Sequence, residues 1–447
     1  MKKTCLWLIT IMVFTIFQAA VVNAATEVEK QLAIEKALAW MAANQQPDGR
    51  WNYGETNGGD IAATGAALLA FMEQKDKTGG WFGVDYTPVV NKGYEYIMNH
   101  AQSVTIGVQS HGNPDTNGNG IGVKFVLGSA NGRDTYVTGL VLPALVKRGN
   151  LNDVITVGSQ AGRTYKAVIQ DTVDYFAWGQ NESGYARGSW RYYANSGDAD
   201  NSTAQWPVVG MLYAQTVPGI TVPQFVKDEL KIWIDYIQHP SGGSGYDSPS
   251  SYLNESKTGG LLLEMVFAGY DGYKAGDTLG KQEALNYLDN NWKNTPSGTW
   301  YGNFLHPYAM WGIYKGLQLT IGTDNTTEIA NLHAAGPLDP GDTWNWWEDY
   351  CESLVRNQNA NGSWTGYSYW GAVLATPWYV NILNATVIPK CDLNGDFKID
   401  RTDINIIMSG RGLNKPGDVR DIDGDGWITV NDARGCVLQC SKPNCAP

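Results

Sequence analysis

Lys36-Ala37-Leu38-Ala39-Trp40-Met41-Ala42-Ala43-Asn44-Gln45-Gln46-Pro47-Asp48-Gly49-Arg50-Trp51 is the stretch that decides the fold. Apolar positions recur at helical spacing as far as Gln45, and Pro47 and Gly49 then turn the chain towards Trp51. The frame returns along the sequence. Lys92-Gly93 leads to Tyr96-Ile97. Tyr175-Phe176 leads to Gln180 and Gly188-Ser189-Trp190. Trp233-Ile234 leads to Gln238 and Gly245-Tyr246. Tyr287-Leu288 leads to Gly298-Thr299-Trp300, and Leu354 to Gln358 and Gly362-Ser363-Trp364. Each copy is followed by a second, more apolar stretch: Asp60 to Met72, Asp134 to Lys147, Asp200 to Gln215, Glu255 to Gly269, Asn303 to Leu317 and Tyr367 to Leu383. Self-similarity at this spacing marks a repeat architecture. Helices apolar on most faces are buried on most faces. Six helix pairs with the second set buried predict an all-α fold, a closed two-layered α6/α6 toroid over residues 27–385. Thr64-Gly65, Thr138-Gly139, Thr258-Gly259 and Trp370-Gly371 recur near the starts of the second set. Glycine inside a helix costs about 1 kcal/mol against alanine, so its recurrence predicts close helix approach.

The 447 residues are 43% hydrophobic, enough for a large core, which excludes wholesale disorder. The formal charge of −12, with no Lys/Arg cluster beyond the first three residues, argues against nucleic acid. Lys2 and Lys3 precede an apolar run from Cys5 to Phe17, and Val22-Asn23-Ala24 supplies small cleavage-site residues. Residues 1–24 therefore read as a secretory signal peptide, too short for a membrane span. Its removal takes away two cations, so −12 becomes −14. No later run is long enough to span a membrane, and the mature chain is expected to be secreted, extracellular or periplasmic. Of the remaining cysteines, Cys391, Cys436, Cys440 and Cys445 crowd the C-terminus and predict a disulfide framework whose pairing the sequence leaves open. Cys351 reads as a buried thiol in a helix.

Gln-x-x-x-Gly-x-Trp preceded by Lys-Ala-x-x-Trp, as in residues 36–51, resembles the QW repeat of squalene–hopene cyclases and the wider terpenoid cyclase and protein prenyltransferase family. The copy from Gln358 to Trp364 is also good. The resemblance implies a toroid in which each tryptophan packs on the glutamine amide and ties neighbouring repeats. It also implies a site: class II cyclases use an Asp-x-Asp-Asp acid, and Asp198-Ala199-Asp200-Asn201 offers Asp198 and Asp200 as catalytic candidates, with Asn201 departing from the pattern. The zinc site of the prenyltransferases is absent, because no histidine follows Asp349-Tyr350-Cys351. The Gly-Cys-Gly-Glu-Gln thioester motif is absent too.

Asp60, Asp134 and Asp200 each fall where a second-set helix begins. That is where an N-cap acid belongs, and also where acids would converge on one mouth and bind a ligand. Glu255 and His306 occupy similar starts. A secreted glycosidase needs two carboxylates across the scissile bond, and Asp60, Asp134, Asp200 and Glu255 are the candidates. Trp190, Trp206, Trp300 and Trp311 could stack on sugar rings, although core packing uses tryptophan equally well. The insertion from Thr105 to Arg133 reads as a Gly/Asn-rich surface loop. Asn113 to Gly120 within it resembles half a calcium loop, with Val126 at the twelfth position.

After a linker at residues 386–390, residues 391–447 carry two calcium-loop patterns. The first runs Asp392-Leu393-Asn394-Gly395-Asp396-Phe397-Lys398-Ile399-Asp400-Arg401-Thr402-Asp403. The second runs Asp421-Ile422-Asp423-Gly424-Asp425-Gly426-Trp427-Ile428-Thr429-Val430-Asn431-Asp432. Side-chain oxygens at positions 1, 3, 5, 9 and 12, with a backbone carbonyl from Lys398 or Trp427 at position 7, suit Ca2+. Two sites are expected, with Ile399 and Ile428 pairing between them. Aspartate at position 12 followed by an apolar helix resembles a type I dockerin. The resemblance implies an EF-hand-like module and a cohesin-like protein partner, met by Arg401-Thr402 and Val430-Asn431. Cys391 lies before the first loop and Cys436 after the second, so a bridge between them, or to Cys440, would clasp the module's ends.

Two functions fit. One is a secreted modular protein whose toroid binds a ligand or partner, a polysaccharide or an apolar molecule, and whose calcium module docks it. The other is an extracellular polysaccharide hydrolase or lyase with its active site in the toroid cleft. A terpenoid-type cyclase is a third, disfavoured by Asn201 and by export.

Overall fold

The computed structural model describes residues 24–54, 58–78, 80–128, 132–272, 279–333, 344–384, 391, 393, 399–415, 418–423, 425–437, 440 and 445. Residues 1–23 of the proposed signal peptide, the linker, and Asp392, Asn394, Asp396 and Lys398 of the first loop lie outside them. The described chain is mostly helical. In chain order it forms α1 (Glu27–Ala43), α2 (Gly59–Thr78) and α3 (Thr87–Asn99), then β1 (Ala101–Thr105) and β2 (Ile121–Phe125), then α4 (Asp134–Val146), α5 (Tyr165–Gly179) and α6 (Asn201–Ala214). There follow α7 (Gln224–Ile237), α8 (Glu255–Ala268), α9 (Lys281–Asn291), α10 (Pro307–Thr320) and α11 (Trp346–Arg356), the short pair β3 (Gly366–Tyr367) and β4 (Trp370–Gly371), α12 (Ala372–Leu383), and finally α13 (Arg401–Ser409) and α14 (Val430–Val437).

Burial separates two sets. In α7 only one stripe is buried (Val226, Glu229, Leu230, Trp233, Ile234, Ile237), whereas in α8 every residue but one is. The even-numbered helices touch in the order α2, α4, α6, α8, α10, α12, and α12 returns to α2. Small residues set their spacing. A Cβ on Gly139 would lie 2.5 Å from the Trp206 backbone, and one on Gly259 would lie 2.5 Å from Ile313 N. Threonine beside each glycine ties the helix to its preceding turn: Thr64, Thr138 and Thr258 receive the backbone N–H of Trp51, Phe125 and Ser244. Gly371 departs from this. It is the N-cap of α12, after a β-turn, with open space where its Cβ would be.

The glutamine turns act as joints between consecutive pairs. Gln45 donates both to Gly49 O, 3.0 Å away, and to Val89 O of α3. Gln180 bridges Gly188 O and Val226 O of α7, and Gln238 bridges Gly242 O and Gly280 O at the N-cap of α9. The glycine of the fourth turn is thus Gly242 rather than Gly245. Gln358 bridges Gly362 O and Ala33 O of α1 at 2.7 Å, joining the last pair to the first. Trp51, Trp190 and Trp364 each send their indole N–H to a carbonyl near the end of the preceding helix. No glutamine stands in the fifth copy, and Trp300 is 45% exposed there.

The second copy ends differently from the sequence expectation. Residues 101–125 form an antiparallel hairpin pairing Ala101 with Phe125, and Val123 and Phe125 are buried in the main core. The hairpin's valine and phenylalanine make it an integral layer against α5 rather than a loose loop. Within its connection, Asp115 accepts the N–H groups of Gly118, Asn119 and Gly120, and Asn117 and Asn119 donate to Asp171.

Residues 391–440 pack a separate small core of Cys391, Ile399, Ile407, Ile428, Ala433 and Cys436. Disulfides join Cys391 to Cys436 and Cys440 to Cys445. A link across 45 residues restricts the unfolded chain by about 4 kcal/mol, and one across 5 by about 2. Cys351 is buried in α11 and forms no disulfide. Among the described residues no helix is long and apolar enough to cross a membrane. The two disulfides are compatible with an extracellular location.

Candidate functional site

The six even-numbered helices begin on the same side, and a cavity of about 520 Å3 opens there. Every one of them contributes to its wall: Ala62 from α2, Tyr136 from α4, Ser202 from α6, Lys257 from α8, Tyr308 from α10 and Leu374 from α12. The turns add Tyr53, Tyr192, Tyr246, Tyr252 and Tyr369, and Trp300 and Trp370 complete an aromatic lining. Seven phenols face this space, with Lys257 and Arg133 as the charged groups. Among the described lining residues there is no carboxylate.

Of the sequence candidates only Trp300 is among the described lining residues; the acids, His306 and the other tryptophans stand around the cavity without lining it. Asp200 is fully buried as the N-cap of α6, its carboxylate accepting Ser202 N at 2.7 Å, Ser202 Oγ at 2.5 Å and Thr203 Oγ1 at 3.1 Å. Burial pushes its pKa up, against the bonds from Ser202 and Tyr246. Asp198 sits on the surface beside Arg191 at 3.4 Å and takes the Tyr185 hydroxyl. Burial raises its pKa, but those partners and Ala199 N prevail and hold it below the usual range. Asn201 gives a physical reason for the departure from Asp-x-Asp-Asp. Its oxygen accepts the Trp233 indole N–H at 2.7 Å while its nitrogen donates to Ser244 Oγ at 2.8 Å and to the Lys257 carbonyl at 3.3 Å, and an aspartate carboxylate cannot donate to that carbonyl.

Asp60 and Asp134 are in the first turns of α2 and α4 and are not their N-caps. Asp60 takes Tyr53 N and the Arg50 guanidinium, and Asp134 takes Lys124 Nζ at 2.5 Å. Glu255 takes Asn294 Nδ2 at 2.6 Å. Asp60 and Glu255 are occupied in holding turns, whereas Asp134 pairs with Lys124 of β2 through one oxygen and keeps the other, Oδ1, buried without a hydrogen-bond partner. Trp190 is buried as a joint tryptophan. Trp206 is buried one turn beneath Ser202, its ring stacked at 5.9 Å on Trp378, which stacks in turn at 6.2 Å on Trp311. Trp206 in turn backs two of the lining phenols, its ring 5.1 Å from Tyr136 and 6.0 Å from Tyr308.

Deeper among the inner helices lies a buried polar layer. Lys315 is seven residues past Tyr308, on the same face of α10 and about 10 Å deeper. Its ammonium donates to the Tyr213 hydroxyl at 2.9 Å, and that hydroxyl donates to Glu73. All three residues are buried, and Lys315 Nζ is 3.8 Å from Glu73. Burial drives the Lys315 pKa down, with Glu73 opposing.

His306 caps α10, its Nδ1 accepting from Ala309 N, while its Nε2 lies 3.2 Å from Thr299 O and its ring packs on Trp370 at 4.9 Å. Burial lowers its pKa to about 4, although the Thr299 carbonyl favours the charged form. From pH 6.5 down to 4 the unfolded chain therefore binds a proton that the folded chain does not, and stability is lost on acidification. A His306→Asn variant keeps a capping acceptor without the titration. Relative to wild type it should gain up to about 3 kcal/mol between pH 7 and pH 4 in paired denaturant melts. A difference that stays flat with pH would remove His306 as an acid-labile point.

In the C-terminal unit, carboxylate oxygens of Asp421, Asp423 and Asp432 lie within 4.8 Å of one another. The two loops share their bonding. Asp432 accepts Ile422 N at 2.8 Å and Thr429 N at 2.6 Å, as Asp403 accepts Leu393 N at 2.8 Å and Asp400 N at 3.0 Å. Position 12 thus receives positions 2 and 9 in both.

No protein-family model matches this chain, and no curated protein is found to be similar to it. The site is therefore read from its own chemistry. Lys257 and the tyrosines were not singled out in the sequence, because they come from separate helix starts with no shared motif. The signal that marks Lys257 is a cation within Glu255-Ser256-Lys257-Thr258-Gly259-Gly260-Leu261, a stretch otherwise built for burial.

Proposed function

We propose that this is a secreted modular protein. Its α6/α6 toroid, resembling the squalene–hopene cyclase and prenyltransferase rings, holds a ligand in an aromatic mouth, and its dockerin-like, EF-hand-like module binds two calcium ions and docks to a protein partner such as a cohesin. The observation that carries the ligand reading is the cavity at the starts of all six inner helices, walled by phenols and indoles. Such concave, largely aromatic sites with few convergent polar groups are where ligands bind. The closed order of contacts from α2 round to α12 supports the toroid, and the sequence features at residues 1–24 support export.

For calcium, Asp421, Asp423, Asp425, Thr429 and Asp432, with the Trp427 carbonyl, supply the hard oxygens the ion needs. The partly matching bonds around Asp400 and Asp403 support a second site. Calcium added to metal-stripped protein at a hundredfold excess over Kd should stabilise the module by about 2.7 kcal/mol, read as a shifted unfolding transition. Asp423→Ala combined with Asp432→Ala should abolish much of that shift. An identical transition with and without calcium would remove the ion, and with it the dockerin reading.

An extracellular polysaccharide-degrading enzyme is the second reading, and the lining favours a lyase over a hydrolase. A glycosidase needs two carboxylates across the bond, whereas the described lining offers a lysine, an arginine and phenols. Appearance of unsaturated sugar on incubation with a uronate polymer, lost in Lys257→Met, would make it catalytic. A terpenoid-type cyclase loses support because Asp200 is engaged as a cap behind the cavity wall.

A further inference from the structure

We propose that the mouth of the inner helices binds an acidic saccharide, its anionic group seated on the Lys257 ammonium and its sugar faces against Trp300, Tyr252 and Tyr369. This rests on reading the cavity as a ligand site. Lys257 is 3% exposed and lines the cavity, yet its ammonium has no hydrogen-bond or ion-pair partner among the described residues. The carboxylates that it feels electrostatically, Asp200 and Glu255, are each committed to other donors. Burial brings its pKa down to about 8, with those two acids opposing, so it still carries its proton at neutral pH. A dehydrated cation without a counter-ion is costly, and an incoming anion relieves that cost through a charge-assisted hydrogen bond. Six helix N-termini point the positive ends of their dipoles at the same space, and Arg133 adds a second cation to its wall.

The rest of the wall selects the body of the ligand. Tyr252, Trp300 and Tyr369 are 57%, 45% and 60% exposed and form a rim of open ring faces, with Trp300 and Tyr369 5.8 Å apart. Ring faces stack on the C–H faces of sugars. Tyr192, Tyr246, Ser202, Ser256 and Asn254 add hydroxyl and amide groups. An anionic lipid tail would leave those groups unpaired in a dry site, at a cost. A polyol satisfies them. A carboxylate and a sulfate ester present the same chemistry to one ammonium, so both kinds of acidic sugar belong to the test.

The experiment is titration calorimetry on the full chain in calcium buffer. The probes are hexagalacturonate, its methyl ester, a sulfated galactan hexamer and cellohexaose, against wild type, Lys257→Met and Lys257→Gln. At least one acidic hexamer should bind wild type tenfold or more tighter than the neutral hexamers, and the Lys257 variants should lose that preference while still binding neutral sugar. Which acidic hexamer binds separates carboxylate from sulfate. Equal binding of acidic and neutral hexamers, or a preference that survives both substitutions, overturns the anion site and leaves a saccharide site standing. No binding by any hexamer overturns the saccharide reading as well. The ester comparison in wild type holds even where a variant fails to fold.

Discussion

Gly362→Ala should lower the stability of the helical ring by about 4 kcal/mol, or roughly 5 °C in its unfolding midpoint for a unit of about 350 residues. Two costs combine. Gly362 has φ +91°, where an L side chain is strained by about 1–3 kcal/mol. Its new Cβ would also fall 2.3 Å from Lys36 O of α1, and overpacking of this kind costs about 1–3 kcal/mol more because backbone must move. Gly149 supplies the control. Its φ is +107°, but nothing stands within 4 Å of its Cβ, so Gly149→Ala carries the strain without the collision. Thermal melts of the two variants should differ by about half of the Gly362→Ala loss. Equal losses would mean that the approach of the last turn to α1 has slack and the joint is not tight.

Lys315→Met should cost about 4 kcal/mol, because it removes the ammonium that sits 3.8 Å from the buried Glu73 carboxylate. Glu73 keeps only the Tyr213 hydroxyl on one oxygen, and its other oxygen has no partner. The loss comes from the stranded charge rather than from the missing pair. Adding Glu73→Gln should therefore recover much of it, since a neutral amide still accepts from Tyr213. A double-mutant cycle by urea unfolding measures this. If the double variant is as unstable as the two single losses added together, the charges are not coupled and the layer is held by packing alone. Because Lys315 lies about 10 Å deeper than Tyr308 along α10, ligand binding at the mouth should be the same in the stable double variant as in wild type.

The first and last joints were legible in outline because both ends of the turn sit within seven residues: Gln45 to Trp51 and Gln358 to Trp364. The amide's second bond was not, because Val89 O and Ala33 O are backbone atoms that any residue would supply. The hairpin at residues 101–125 was missed for a related reason. Its glycine- and asparagine-rich connection dominates the composition, while the alternation that buries Val123 and Phe125 covers only five residues. At the mouth, acidic residues at helix starts drew attention, yet cap geometry had already claimed Asp200, and ion pairs with Arg50 and with Lys124 had claimed Asp60 and Asp134. The phenols that replace them lie at unrelated offsets, and only the meeting of six helix starts makes them neighbours. The shared bonding of Asp403 and Asp432 was legible from spacing alone, because each pattern is confined to twelve consecutive residues.

The bond from Gln358 to Ala33 spans 325 positions of sequence. During synthesis, at about 5–20 residues per second, the first helix waits on the order of half a minute before its partner leaves the ribosome. Earlier pairs can dock on one another, but the circle has an open gap and an unmet apolar flank until the sixth arrives. Its completion is therefore a late, all-or-none event with a long loop to close, which slows folding. The last joint, not the first, thus decides when the helical unit becomes compact.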